Sequence, residues 1–81
     1  MKVLKFYADW CGPCKSLTKV LEGVTVSTPI EEVNIDDQPE LATKFGIRGV
    51  PTCVLVGDTG VEVSRRVGMM TTDQFREFVG E

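Results

Sequence analysis

The stretch Trp10-Cys11-Gly12-Pro13-Cys14 stands between two segments of different periodicity, and that position limits the architectures open to the chain. Before it, Val3-Leu4-Lys5-Phe6-Tyr7 reads as a short apolar strand interrupted by one lysine. After it, Leu17, Val20, Leu21 and Val24 recur at the i, i+3, i+4, i+7 spacing of a helix face, with Gly23 placed to end it. A strand therefore turns directly into a helix, and the cysteine pair sits at that helix's N-terminus. Residues 30–35 form a second strand. A strand, a helix and another strand predict a parallel pair joined by a right-handed crossover.

Asp36-Asp37-Gln38-Pro39 offers capping groups and a proline suited to a first helical turn, and Leu41, Ala42 and Phe45 give a short helix ending at Gly46. Residues 52–56 and 61–67 are β-rich runs joined by Gly57-Asp58-Thr59-Gly60, a hairpin loop composition that predicts antiparallel strands. Thr71 and Gln74 stand at capping-box spacing before the apolar stripe of Phe75, Phe78 and Val79. The order is β-α-β-α-β-β-α: an α/β fold with a four-stranded mixed sheet flanked by three helices. At 81 residues, a split would leave halves too small for separate cores, so one domain over residues 1–81 is expected.

A net charge of −3 argues against a nucleic-acid surface, which needs clustered Lys and Arg. Only Arg65-Arg66 approaches a cluster, and on a strand the two would alternate faces as solvated edge charges. No apolar run approaches the roughly 20 residues that cross a bilayer. Met1-Lys2-Val3-Leu4 leads into a strand and not a signal peptide, and three cysteines are few for a disulfide-stapled secreted domain. A reducing, cytoplasmic setting is expected, and a monomer, because no long apolar stripe is left over.

Residues three apart in a helical turn hold their Cα atoms within the roughly 7 Å that a disulfide requires, so Cys11 and Cys14 can open and close a bond. The cysteine nearer the helix start faces unpaired N–H groups and the positive end of the helix dipole, which favour its thiolate. Cys11 is the expected nucleophile. It attacks a substrate disulfide, and Cys14 resolves the mixed disulfide that results. Gly12 lets the backbone approach a partner, and Pro13 fixes φ where an N–H would be unpaired. The alternatives are a zinc half-site or an inert structural disulfide. A closed zinc site needs two more ligands, yet the chain has no histidine, no second CxxC and only the isolated Cys53.

Trp10-Cys11-Gly12-Pro13-Cys14-Lys15 is similar to the active-site signature of the thioredoxin family. The resemblance extends to Val33-Asn34-Ile35-Asp36, to Phe45-Gly46-Ile47-Arg48-Gly49-Val50-Pro51-Thr52 and to Val67-Gly68, and so covers nearly the whole chain. It implies a cis peptide before Pro51, facing the cysteines, against the alternative of an ordinary trans turn. It also implies a substrate groove made by Trp10, Gly12, Pro13, Gly49, Val50, Pro51, Gly68 and Met69, with the Val50 backbone pairing with an extended substrate segment.

Three departures from the family accompany these matches. The family's usual additional N-terminal strand and helix have no counterpart, so residues 30–35 become an edge strand, where Glu31 and Glu32 discourage aggregation. The family's buried aspartate beneath the cysteines falls on Lys5, and its lysine partner on Glu32. Either the ion pair persists with its charges exchanged, or Lys5 snorkels to the surface and Glu32 is an ordinary edge residue. In an exchanged pair, Glu32 would accept the Cys14 proton while Lys5 favoured nearby thiolates. Finally, Cys53 stands where the family usually has an aliphatic residue, as a packing group or else as a regulatory thiol.

The resemblance implies a protein-disulfide reductase whose only redox group is the Cys11-Cys14 disulfide, binding no cofactor and recharged by a thioredoxin-reductase-type donor. The absence of a phosphate-cradling glycine fingerprint agrees, since Gly57 and Gly60 belong to a hairpin. A glutathione-dependent glutaredoxin shares the minimal fold, but Gly12-Pro13 is the thioredoxin choice between the cysteines. A third reading is a binding module within a larger assembly.

Overall fold

A computed structural model describes every residue, Met1–Glu81. Seven elements follow one another: β1 (Lys2–Tyr7), α1 (Gly12–Glu22), β2 (Ile30–Asn34), α2 (Pro39–Lys44), β3 (Thr52–Val56), β4 (Glu62–Val67) and α3 (Thr72–Val79). The four strands form one sheet in the order β2-β1-β3-β4. β1 and β2 are parallel, while β1 with β3 and β3 with β4 are antiparallel. This is the mixed sheet expected from the element order.

β3 is buried along its whole length, which is why Thr52-Cys53-Val54-Leu55-Val56 reads as a near-continuous apolar run without alternation. Its odd-numbered side chains join Val3, Leu17, Met70, Phe75 and Val79 in a core beneath α1 and α3. Val54 and Val56 join Leu4, Phe6 and Val33 in a second core, against which Leu41, Ala42, Phe45 and Ile47 of the α2 region pack. Helices therefore cover both faces, and the loop from β1 into α1 emerges at one end of the sheet.

Local chemistry sets the helix boundaries. Thr71 and Gln74 form a complete capping box, and Gly80 ends α3 in a left-handed conformation at φ 78°. At α2 the structure differs from the sequence expectation. Gln38 is the N-cap and makes no side-chain cap bond, while Pro39 opens the helix. Asn34 Oδ1 accepts from the N–H groups of Asp36 (2.8 Å) and Asp37 (3.4 Å), so asparagine at the strand end organises the turn and the aspartates do not.

Arg65 is exposed on the edge strand β4, as expected, and it also has partners that its sequence does not announce. It pairs with Glu62 through Nε at 2.7 Å and Nη2 at 2.6 Å, and Nη2 donates to the Phe45 carbonyl at 2.6 Å, tying β4 to the end of α2. β4 begins at Glu62, one residue later than expected, and its register with β3 is irregular between Leu55 and Val56. On the opposite edge, Glu31 pairs with Lys2 at 2.9 Å.

Candidate active site

Cys11 is the N-cap of α1: its backbone is extended (φ −90°, ψ 108°), and its Sγ accepts the Cys14 N–H at 3.2 Å. Gly12 and Pro13 occupy the first helical turn, where a missing proline N–H leaves no bond unmade. The cysteines are joined as a disulfide with Cα atoms 5.3 Å apart. Both are buried, in a small cluster with Ala8 against which Tyr7, Ile35 and Val50 pack.

Val50-Pro51 is a cis peptide, and the Val50 carbonyl oxygen lies 3.6 Å from Cys11 Sγ. Two bonds fasten this loop: Thr52 Oγ1 donates to the Gly49 carbonyl at 2.7 Å, and the Gly68 N–H donates to the Pro51 carbonyl at 2.8 Å. Gly68 makes its bond from φ +90°, a conformation open to glycine at little cost. Met69 beside it is exposed. Trp10 donates its indole N–H to Asp36 Oδ2 at 3.0 Å while 70% of the residue stays exposed. A Cβ at Gly12 or Gly49 would meet nothing within 4 Å, so nothing inside the chain requires glycine at either position.

Lys5 does not snorkel. It is 1% exposed, and its ammonium donates to Glu32 Oε1 at 2.9 Å and to the Thr18 hydroxyl, with the Tyr7 ring centroid 5.5 Å away. The parallel register sets Lys5 opposite Glu32, and period-2 alternation puts both on the α1 face. Glu32 is half-exposed at the rim of a cleft of about 340 Å³ whose other walls include Cys14, Lys15 and Thr18. Sequence reasoning missed Thr18 and Asp36. Thr18 was discoverable, since one helical turn beyond Cys14 its hydroxyl can reach the Cys14 carbonyl, as it does at 3.0 Å. Asp36 follows a strand end and carries no spacing signal toward Trp10.

Cys53, opposite Lys5 on β3, is fully buried. Burial pushes its thiol up from 9.0 to about 11, against the pull of the Lys5 ammonium and with the help of the Glu32 carboxylate. In the folded, oxidised protein it is expected to resist iodoacetamide at pH 8, and to react once urea unfolds the chain. From pH 9.0 to about 11 the unfolded thiol ionises while the native one keeps its proton. The stability this confers is whole below that window and lost as pH rises through it. The loss is about 3 kcal/mol relative to Cys53→Ala, at about 1.4 kcal/mol per pH unit. Equal pH dependence of the two proteins in urea melts would contradict the assignment.

A dithiol that can close at the start of a helix, facing a cis-proline loop, is the site of a thiol-disulfide oxidoreductase. The family model "Thioredoxin" matches residues 1–81. The thioredoxin of Chlamydia caviae is 42% identical over 82 residues, covering 98% of this chain and 79% of that protein. A thioredoxin-like protein derived from the SPbeta prophage of Bacillus subtilis is 40% identical over 68 residues, covering 84% and 82%. Among solved structures, a mutant thioredoxin from Halobacterium salinarum superposes with TM-score 0.87 at 37% identity, covering 95% of this chain and 69% of that one. The thioredoxin of Fasciola hepatica superposes at 0.84 with 31% identity, covering 96% and 76%. The chain belongs to the thioredoxin family, and it is a protein-disulfide oxidoreductase working through the Cys11-Cys14 pair.

Proposed function

We propose that Cys11 is the nucleophile and Cys14 the resolving thiol, within one domain spanning residues 1–81. The N-cap position of Cys11 carries this reading. An N–H that already points at its sulfur, together with the helix dipole, stabilises a thiolate there and not at Cys14. Cys11 attacks a sulfur of the substrate disulfide, whose other sulfur leaves with the electron pair. Cys14 then attacks Cys11, releasing the second substrate sulfur and closing the disulfide.

Trp10, Gly12, Pro13, Gly49, Val50, Pro51, Gly68 and Met69 form the substrate groove. The open space beside Gly12 and Gly49 and the exposed ring of Trp10 support this reading, since a partner's backbone can come close there. The protein acts as a cytoplasmic, monomeric carrier that binds no cofactor. It draws electrons from a thioredoxin-reductase-type partner and passes them to disulfide-bonded proteins. Its net charge of −3 supports protein partners over nucleic acid, and a redox-cycling dithiol suits a reducing compartment. No helix is long and apolar enough to cross a membrane.

Glu32 accepts the Cys14 proton as the resolving step begins, and Lys5 holds the carboxylate at the cleft and favours the thiolate. Support comes from Cys14 and Glu32 lining the same cleft, and from the Lys5–Glu32 pair. Glu32→Gln is expected to slow resolution at pH 7 on the order of a hundredfold, the low end of general-base contributions. The Cys11 mixed disulfide then accumulates during turnover, as read by acid quench and intact-mass analysis. No accumulation, with wild-type rates across pH, would remove Glu32 from the mechanism.

A further inference from the structure

Thr18 links the buried ion pair to the resolving cysteine. A hydroxyl has one proton and two acceptor lone pairs, and an ammonium accepts nothing. The Thr18 proton goes to the Cys14 carbonyl oxygen at 3.0 Å, so a lone pair must face Lys5 Nζ. The network therefore has a single polarity. Lys5 donates to Glu32 on one side and to Thr18 on the other, and Thr18 donates onward to the backbone of Cys14.

Glu32 constrains Lys5 from the open side only, because its side chain is 49% exposed at the cleft. Thr18 is anchored on α1 one turn from Cys14, and it lines the same cleft as Cys14 and Glu32. The ammonium is thus held on one side by a helix-anchored hydroxyl and on the other by a half-exposed carboxylate.

We propose that Thr18 is a positioning residue for the resolving half-reaction, holding the Lys5 ammonium and through it the Glu32 carboxylate at the cleft that Cys14 lines. The inference rests on the reading that Glu32 takes the Cys14 proton. In that step the Cys14 thiol proton passes to Glu32. The Cys14 sulfur bonds to Cys11 Sγ, the bond from Cys11 to the substrate breaks, and the substrate sulfur leaves as a thiolate that takes a proton from water. Thr18 neither gains nor loses a proton. Around it, the groups able to titrate are Lys5 and Tyr7 on β1, Asp9 in the following loop, Cys14, Lys15 and Glu22 on α1, Glu32 on β2 and Cys53 on β3.

The test compares Thr18→Val, which keeps the shape and removes the hydroxyl, with Thr18→Ser, which keeps the hydroxyl. Rapid quench separates the attack by Cys11 from the resolution by Cys14 across pH 5 to 9. Thr18→Val is expected to slow resolution about fivefold to tenfold at pH 7, less than the roughly hundredfold that a 1 Å misplacement can cost, because the Lys5–Glu32 contact remains. It should also move the midpoint of the resolving profile to higher pH, with the Cys11 step changed less than about twofold. Thr18→Ser should restore both. A merely structural role would lower stability without moving the profile.

Wild-type resolution and midpoint in Thr18→Val would overturn the proposal. Glu32→Gln in the same assay distinguishes the failures: a slow Glu32→Gln beside a normal Thr18→Val overturns the Thr18 role alone, whereas two normal variants overturn the proton-transfer reading as well. Should Thr18→Val not fold, the Lys5 ammonium protons of the wild-type protein decide by NMR. Slow exchange with water is expected of an ammonium held from two sides, and fast exchange would overturn the proposal.

Discussion

Cys11→Ser protein is expected to lose at least about a thousandfold of its protein-disulfide reductase activity, because an alcohol in place of the thiolate cannot open a substrate disulfide. Cys14→Ser should behave differently. The Cys11 thiolate, its helix position unchanged, attacks at a rate within a fewfold of wild type and stops at the mixed disulfide. Intact-mass analysis should find one substrate adduct per chain, mapped to Cys11 and released by dithiothreitol. Adduct on Cys14 in Cys11→Ser, formed as fast as adduct on Cys11 in Cys14→Ser, would reverse the two roles. Cys53 adds no third route, since its burial keeps it from substrate.

The second large effect is an asymmetry in the Lys5–Glu32 pair. Removing Glu32 as Glu32→Ala leaves a buried ammonium with the Thr18 hydroxyl and the Tyr7 ring as its remaining partners. Breaking a fully buried pair costs more, but here the cleft admits water on the Glu32 side, so about 1–3 kcal/mol is expected. Replacing Lys5 by Met removes the charge and keeps most of the volume. Glu32 then turns to water and Thr18 keeps its bond to Cys14, so the change should stay within about 1 kcal/mol of wild type. Urea midpoints at unchanged slope would read both. A Lys5→Met protein less stable than Glu32→Ala would mean that the ammonium contributes more than its desolvation costs.

The framework of the fold is written locally. Periodicity separates β1 from α1, the Gly57–Gly60 loop composition marks the hairpin, and Thr71 with Gln74 specifies the start of α3 by chemistry that needs nothing beyond four residues. The cysteine pair is equally local, because its function follows from a three-residue spacing at a helix start. What sequence left open depends on distant chain segments meeting. Lys5 on a strand reads equally well as a snorkelling surface group or a buried partner, and only the approach of Thr18 and Glu32 from two other elements decides. Arg65 reads as an exposed edge charge, which it is, but its partner shows only when β4 and the end of α2 bring the Phe45 carbonyl within reach. At residues 34–37, Asn and Asp are both competent turn acceptors, and sequence does not rank them.

Because the sulfur that exchanges electrons is also the sulfur that caps α1, redox state and fold stability form one thermodynamic cycle. A thiolate accepts an N–H better than a disulfide sulfur does, so the cap is stronger in the reduced protein. Closing the cycle turns that difference into driving force: each 1.4 kcal/mol by which folding favours the dithiol raises the potential by about 30 mV. A substitution deep in α3 that costs both redox states the same leaves the potential untouched. One that perturbs the Cys14 N–H does not, and so the helix start acts as the tuning element for the electron affinity of the whole protein.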